Sequence, residues 1–321
     1  MAHKKVLFVR FSSLGDIITS NYYAMKIKEK HPEWHLTWLV DVLYEPLVKI
    51  QPWVDAVIAW DRKNTGNWGF LKILKKVRSE NYDVLVDMHG SDRMAFFTFF
   101  SLIPVKYGLK HDWITFGLHD SNDFSELLDE EDKIYLSPKY LYSGRPVDAT
   151  VCLIHQTHAK TDRVFILAIG ASFRKKRWPV DSWVKFIDIA AVSGVHMVLV
   201  GTGQEEVVAA EEIMRNISRG HITNLVGKLS ILELIQIIDS GDVLISGDTG
   251  PLHIARALGI KTIGLFGPTL VEKKYMEHLS HVFYSDCEDI ECENWDCSKP
   301  CLETIPPLKV FLRAEELLQG I

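Results

Sequence analysis

Residues 246–253 read Ser-Gly-Asp-Thr-Gly-Pro-Leu-His, between an apolar run, Asp242–Ile245, and a short helical pattern, Ile254–Leu258. Small polar residues at a strand-to-helix turn aim backbone N–H groups and the positive end of a helix dipole at one spot, which suits an anion. Asp248, Thr249 and Gly250 form that turn; Thr249 adds a hydroxyl, and His253 lies one turn into the helix, within reach of the same ligand. A second turn, Phe266-Gly-Pro-Thr269, follows the next apolar run, Thr262–Leu265. Two such turns after neighbouring strands point to a phosphate-bearing ligand at the carboxyl edge of a sheet.

Three more constellations carry potential chemistry. Gly170-Ala-Ser-Phe-Arg-Lys-Lys-Arg-Trp-Pro179 sets four cations, Arg174–Arg177, after a small-residue turn. Such cations neutralise a diphosphate and oppose the charge that develops when it leaves. The alternative is a solvated basic loop. Arg10-Phe-Ser-Ser-Leu-Gly-Asp16 closes the first apolar run, with Ser12, Ser13 and Gly15 as a hydrogen-bonding loop. Asp16 then reads either as a helix cap or as a general base, and a capping carboxylate has its oxygens occupied. Asp87-Met-His-Gly90 brings His89, with Arg93 three residues on, to face an acidic acceptor, although a lone histidine is more often structural. Gly201-Thr-Gly-Gln-Glu205 resembles a dinucleotide fingerprint only in part, because Glu206 stands at the third glycine. Glu205 can accept ribose hydroxyls or simply begin a solvated helix. Cys287, Cys292, Cys297 and Cys301 have spacings of four, four and three residues, looser than the paired spacing of common zinc sites. A structural metal there is the minor reading and reduced thiols the major one.

These residues need strand ends to hold them. Apolar runs of strand length alternate with helical patterns throughout, beginning with Val6–Arg10, Leu36–Val40, Ala56–Trp60 and Val84–Asp87. The alternation stops near Gly108, turns polar and irregular from His111 to Asp148, and restarts at Val164. Alternation of this kind predicts parallel sheets with helices on both faces. The expected architecture is α/β, two Rossmann-like doubly wound domains facing a central cleft, residues 1–158 and 159–304, with a final helix in 305–321. Ligands then bind at strand carboxyl ends, one substrate mainly to each domain.

Bulk properties narrow the function. The 321 residues are 47% hydrophobic and 24% charged, ordinary for a globular protein, and the net charge of −6 gives no reason to expect nucleic acid. No signal peptide is visible, so a cytoplasmic protein is expected. The longest apolar stretch, Ala95–Val105, is too short to span a bilayer. Its phenylalanines, Phe96, Phe97, Phe99 and Phe100, read as a buried helix, with peripheral contact to the inner-membrane surface as the alternative.

Taken in order, Val9-Arg-Phe-Ser-Ser-Leu-Gly-Asp16, Asp87-Met-His-Gly90, Gly170-Ala-Ser with Lys176-Arg-Trp-Pro179, Gly247-Asp-Thr-Gly250 with His253, and Leu265-Phe-Gly-Pro-Thr269 resemble glycosyltransferase family 9, the ADP-heptose:lipopolysaccharide heptosyltransferases. The resemblance runs from about Lys4 to Val310. It implies a GT-B fold, with the last helix packing back on the N-terminal domain. It also implies an inverting, metal-independent reaction with no cofactor, in which heptose passes from ADP-heptose to a lipopolysaccharide core-type glycolipid acceptor. Asp16 inherits the role of base. Ser172, Lys176, Glu205, Asp248, Thr249, Gly250 and His253 would bind the donor, and Ser12, Ser13 and Arg93 the acceptor. Ala171 and Phe173 depart from polar positions common in the family. Competing readings are a same-family transferase with another nucleotide sugar or a capsule or protein acceptor, a GT-B-fold nucleotide-sugar epimerase, and a non-catalytic sugar-binding protein.

Overall fold

The computed structural model describes residues 3–108, 122–123, 127, 163–267, 280–286 and 301–319. The chain divides into two compact units, Met1–Val147 and Asp148–Ile321.

In the first unit the strands are β1 (Lys5–Val9), β2 (His35–Asp41), β3 (Ala56–Trp60), β4 (Val84–Asp87), β5 (Val105–Gly108) and the two-residue β6 (Asn122–Asp123). They form one sheet in the order β3-β2-β1-β4-β5-β6, and every pair is parallel. The helices are α1 (Leu14–Lys30), α2 (Glu45–Lys49), α3 (Arg62–Ser79) and α4 (Asp92–Phe100). Chain direction across the sheet reverses at β1, so right-handed crossovers put α3 and α4 on one face and α1 and α2 on the other. Packing agrees: Ile73, Leu74 and Val77 of α3 share a core with Met94 and Phe97 of α4 over Leu7, Val9 and Leu85. Central strands buried on both faces are read from sequence as unbroken apolar runs. The expected burial of the α4 phenylalanines holds for Phe97 alone; Phe96, Phe99 and Phe100 are 41–48% exposed.

The second unit repeats the plan. Strands β7 (Val164–Ala168), β8 (His196–Val200), β9 (His221–Asn224), β10 (Val243–Gly247), β11 (Lys261–Phe266) and β12 (Ser280–Tyr284) lie in the order β9-β8-β7-β10-β11-β12, again all parallel. Helices α5 (Val180–Ala190), α6 (Gln204–Asn216), α7 (Ile231–Ser240), α8 (Gly250–Ala257) and α9 (Pro307–Gln319) accompany them. Both sheets therefore have the doubly wound strand order whose reversal point receives ligands, at β1/β4 in one and β7/β10 in the other. Each unit is thus an α/β, Rossmann-like doubly wound domain, the two-domain plan of the GT-B class.

One expectation is corrected. The final helix was assigned to the N-terminal domain, but the buried face of α9, Val310, Ala314 and Leu317, belongs to the core of the second unit with Trp183, Phe186 and Ile187 of α5. Lys261 Nζ donates to the Leu317 carbonyl at 2.5 Å and fixes the end of α9 to β11. No helix among the described residues is long and apolar enough to cross a membrane.

Candidate functional site

The loop after β1 runs straight into α1, with Ser13 as N-cap and Asp16 at the third helical position. Asp16 Oδ2 accepts from the Ser13 N–H (2.9 Å) and the Ser13 hydroxyl (3.2 Å), and meets Arg10 Nη2 at 2.5 Å. The second oxygen, Oδ1, has no hydrogen-bond partner among the described residues. Capping therefore does not exclude a base here, because it occupies only one of the two oxygens. Arg10 is itself buried, and its other terminal nitrogen donates to the Met88 carbonyl. Arg10 thereby ties the β1 loop to the β4 loop across the reversal point.

Neighbouring strand ends add groups that sequence reasoning did not single out. Arg62, first residue of α3, donates to Ser12 Oγ (3.1 Å), pairs with Asp41 at 3.4 Å, and lies 5.0 Å over the Phe11 ring. Tyr44 keeps its proton beyond the usual phenol range, first through burial and then through the charges of Asp41 and Asp16. The only sequence signal for Arg62 is a cation at the first helical position after a strand.

The Asp87–Gly90 turn is built by Asp87, whose Oδ1 accepts from the N–H groups of His89 (2.8 Å) and Gly90 (3.2 Å). Full burial raises the Asp87 carboxyl despite those bonds. The His89 ring stands edge-on to Phe11, 5.3 Å between centroids. Burial, then the Arg10 and Arg62 charges, push its pKa down to about 4, so it is neutral near pH 7. Arg93 is exposed on the first turn of α4, and no described contact joins it to the Asp16 group.

The depressed His89 has a measurable consequence. Folding excludes a proton that the unfolded imidazole binds below about pH 6.5, so stability present above that pH is lost as pH falls toward 4. The wild type is expected to lose on the order of 3 kcal/mol over that interval that His89→Gln keeps. Urea titrations at pH 7.5 and pH 4 check this; equal losses in both proteins would refute it.

In the second unit, the Gly170–Pro179 loop is anchored by its tryptophan. Trp178 is buried against Trp183 (4.9 Å, edge-on) and donates from Nε1 to the Ile305 carbonyl at 3.3 Å. Anchoring Trp178 sets the preceding turn, Arg174–Lys176, over the end of β10. The approach is so close that a Cβ at Gly247 would collide with the Lys176 carbonyl oxygen, so the glycine of Gly247-Asp-Thr-Gly250 is required there. Lys176 Nζ then donates to Asp248 Oδ2 at 2.6 Å, and His253 Nε2 stands 3.7 Å from the other oxygen, Oδ1. Burial disfavours an ionised Asp248, but His253 and the Lys176 ammonium outweigh it and hold the carboxyl well below the usual range. The result is a mostly buried Lys176–Asp248 ion pair with His253 beside it, at the reversal point of the sheet.

The anion cradle at α8 is narrower than the sequence reading implies. Pro251 has no N–H, and the Leu252 N–H turns back to the Thr249 carbonyl (3.1 Å). The Thr249 hydroxyl is engaged with Ser246 Oγ at 2.8 Å. That leaves the Gly250 N–H, the helix dipole and the Lys176 ammonium as the groups at this turn that suit an anion.

The four cations do not act alike. Arg177 donates from Nε to the Ala171 carbonyl (2.7 Å) and pairs with Glu205 at 2.5 Å, bracing its own loop. Glu205 is otherwise exposed, as is Ser172. The better-placed carboxylate is Glu206, which accepts from the Thr202 N–H at 2.5 Å and fills the space that side chains at Gly170 and Gly201 would occupy. Its carboxyl is raised by burial. Two glycines after adjacent strands, Gly170 and Gly201, were the available signal for it. Of the four late cysteines, Cys287, Cys292 and Cys297 lie outside the described residues, as do Pro268 and Thr269, and Cys301 is buried.

The family model for glycosyltransferase family 9 (heptosyltransferase) matches residues 140–296, the stretch holding Ser172, Lys176, Asp248 and His253. Lipopolysaccharide heptosyltransferase 1 of Campylobacter coli is 24% identical over 338 residues, with 98% of each chain covered. Among solved structures, a family 9 glycosyl transferase from Veillonella parvula superposes with a TM-score of 0.79 at 17% identity, covering 100% of this chain and 99% of that one. E. coli ADP-heptose lps heptosyltransferase II gives 0.74 at 19% identity, with 98% of each chain covered. The solved structures share the fold, while the family match spans the strand-end loops of the second unit and the relative extends over nearly the whole sequence. The chain is similar to glycosyltransferase family 9 over residues 140–296 and, through its relatives, over nearly its whole length, a likeness that marks it as a glycosyltransferase.

Proposed function

We propose that the protein transfers a heptosyl group from ADP-heptose to a lipopolysaccharide core-type glycolipid, with inversion and without a metal. The observation that carries this reading is the Lys176–Asp248–His253 triad beside the start of α8. It offers a diphosphate a cation and a helix dipole, which are the groups a departing nucleotide diphosphate needs. The names of the similar proteins supply the sugar and the acceptor.

In this mechanism the first unit supplies the base and the second the phosphate-binding groups. Asp16 uses Oδ1 to take the acceptor hydroxyl's proton as the oxygen attacks the anomeric carbon. An ordinary carboxylate cannot deprotonate an alcohol beforehand, so proton transfer is concerted with attack. The C–O bond to the diphosphate breaks with oxocarbenium character, as glycosyl transfer generally does. Lys176 turns from Asp248 toward the phosphate oxygens as charge builds on them. Arg62 and Ser12 flank the base and are placed to hold the acceptor's polar groups; Arg93 is the third candidate for that task.

A thermal-shift panel tests the donor. Ligands that bind only the folded protein raise its apparent stability. ADP and ADP-heptose are expected to raise Tm, whereas UDP and GDP at equal concentration are not. A shift with UDP or GDP and none with ADP would overturn the donor assignment.

A further inference from the structure

We infer that the outer face of α3, continued by the end of α4, docks the protein on an anionic lipid bilayer. The inference shares with the proposed function only the glycolipid acceptor; it does not depend on which sugar is moved.

The sequence of α3 contains six cations, Arg62, Lys63, Lys72, Lys75, Lys76 and Arg78, and no acidic residue, in a chain of net charge −6. Its inner face is apolar: Ile73, Leu74 and Val77 are buried in the core. The opposite face should be simply polar in a helix of a freely soluble domain. Instead Trp68 is 83% exposed and Leu71 55%, followed on the same stripe by exposed Lys72 and Lys75. The spacing 68, 71, 72, 75 is that of one helical face.

This face has a second component. Arg78 Nε donates to the Phe100 carbonyl at 2.8 Å, joining the end of α3 to the end of α4. There Phe100 is 41% exposed and Leu102 70%. The surface therefore pairs exposed aromatic and aliphatic side chains with cations that, among the described residues, make no ion pair: Lys63, Lys72, Lys75 and Lys76.

Charge decides the occupant. An uncompensated basic stripe around a lone exposed tryptophan matches an interface that is negative at its surface and apolar just beneath. Tryptophan settles at headgroup depth, and lysine stems lie along apolar surface while their ammonium groups reach phosphate. A second copy docked through the same face would set like charges against each other. The position also suits the chemistry, because the first residue of α3, Arg62, donates to Ser12 in the loop that carries Asp16. Docking through α3 holds that loop near a membrane-borne acceptor.

Co-sedimentation of the full chain with sucrose-loaded vesicles tests this. Vesicles of phosphatidylcholine with phosphatidylglycerol are compared with phosphatidylcholine alone, at low and high salt, and neither contains an acceptor sugar. The wild type is expected to bind the anionic vesicles, and to release them in high salt as exposed charges are screened. Lys72→Glu with Lys75→Glu should weaken binding by about tenfold or more, and Trp68→Ser should weaken it on its own. ADP affinity should be unchanged in every variant, which establishes folding and separates this result from the donor assignment. No binding to anionic vesicles, binding indifferent to these substitutions, or a dimer that the same substitutions dissolve would each overturn the inference.

Discussion

Asp16→Asn is expected to lower the rate of sugar transfer by between about a hundredfold and ten-thousandfold while leaving nucleotide affinity intact. The expectation follows from how the carboxylate is shared. Oδ2 is held by Arg10 at 2.5 Å and by both donors of Ser13, so it cannot turn to a substrate. An asparagine satisfies those donors with its carbonyl oxygen and leaves its amide where Oδ1 stood. A proton acceptor becomes a proton donor, with the loop otherwise unchanged. Asp16→Ala is the coarser probe, because it also removes the back-bond to the N-cap and costs about 1 kcal/mol of helix stability. A transfer assay under saturating donor checks the result. An Asp16→Asn rate within tenfold of wild type would take the role of base away from Asp16.

Lys176→Ala is expected to weaken ADP binding by about ten- to a hundredfold, the magnitude of a charge-assisted hydrogen bond to phosphate. Two effects act in the same direction. The phosphate loses its cation, and Asp248 is left mostly buried without the ammonium that lies 2.6 Å away. The variant should also lose up to about 3 kcal/mol of stability, as expected when one partner of a buried pair is removed. The pH dependence has a definite sign. Asp248 is held ionised below the usual carboxylate range, so the stability it lends is complete above about pH 4 and is lost as pH falls further. The gap between variant and wild type should stay level from pH 8 to pH 5 and narrow in stronger acid. Adding Asp248→Asn to Lys176→Ala should restore much of the stability and little of the ADP affinity. Unchanged ADP affinity in Lys176→Ala would move the phosphate site elsewhere.

Much of this architecture is legible in the sequence for one reason. Strands buried on both faces, such as β1, β4, β7 and β10, must be continuous apolar runs. What escaped has equally physical causes. Strand β5 is four residues long and follows Pro104, and β12 opens on Ser280 and His281 with only three apolar residues after them, so neither shows a run that periodicity can detect. The N-cap and first turn of α1 contain Ser13, Gly15 and Asp16, residues that read as a loop until the cap is seen. The docking of α9 was misread because an amphipathic stripe states that a helix is buried, not which core buries it. The bond from Trp178 to Ile305 across 127 residues decides that, and it is tertiary.

Legibility in the site divides along the same line. Asp16, Lys176, Asp248 and His253 could be named because each lies in, or within one helical turn of, the loop that follows a strand. That Lys176 pairs with Asp248 across 72 residues could not be read, nor that Arg62 reaches Ser12 across 50. Glu206 was discounted as a broken glycine motif. Its carboxylate in fact occupies the space vacated by Gly170 and Gly201, so the glycines and the glutamate form one device.

The central claim is a division of labour, with the acceptor's proton taken at Asp16 and the donor's diphosphate held at Lys176 and Asp248. Calorimetric titration of ADP into the wild type, Asp16→Asn and Lys176→Ala tests it most directly. The first two proteins should bind ADP with equal affinity and the third much more weakly. ADP affinity lost in Asp16→Asn and kept in Lys176→Ala would contradict it.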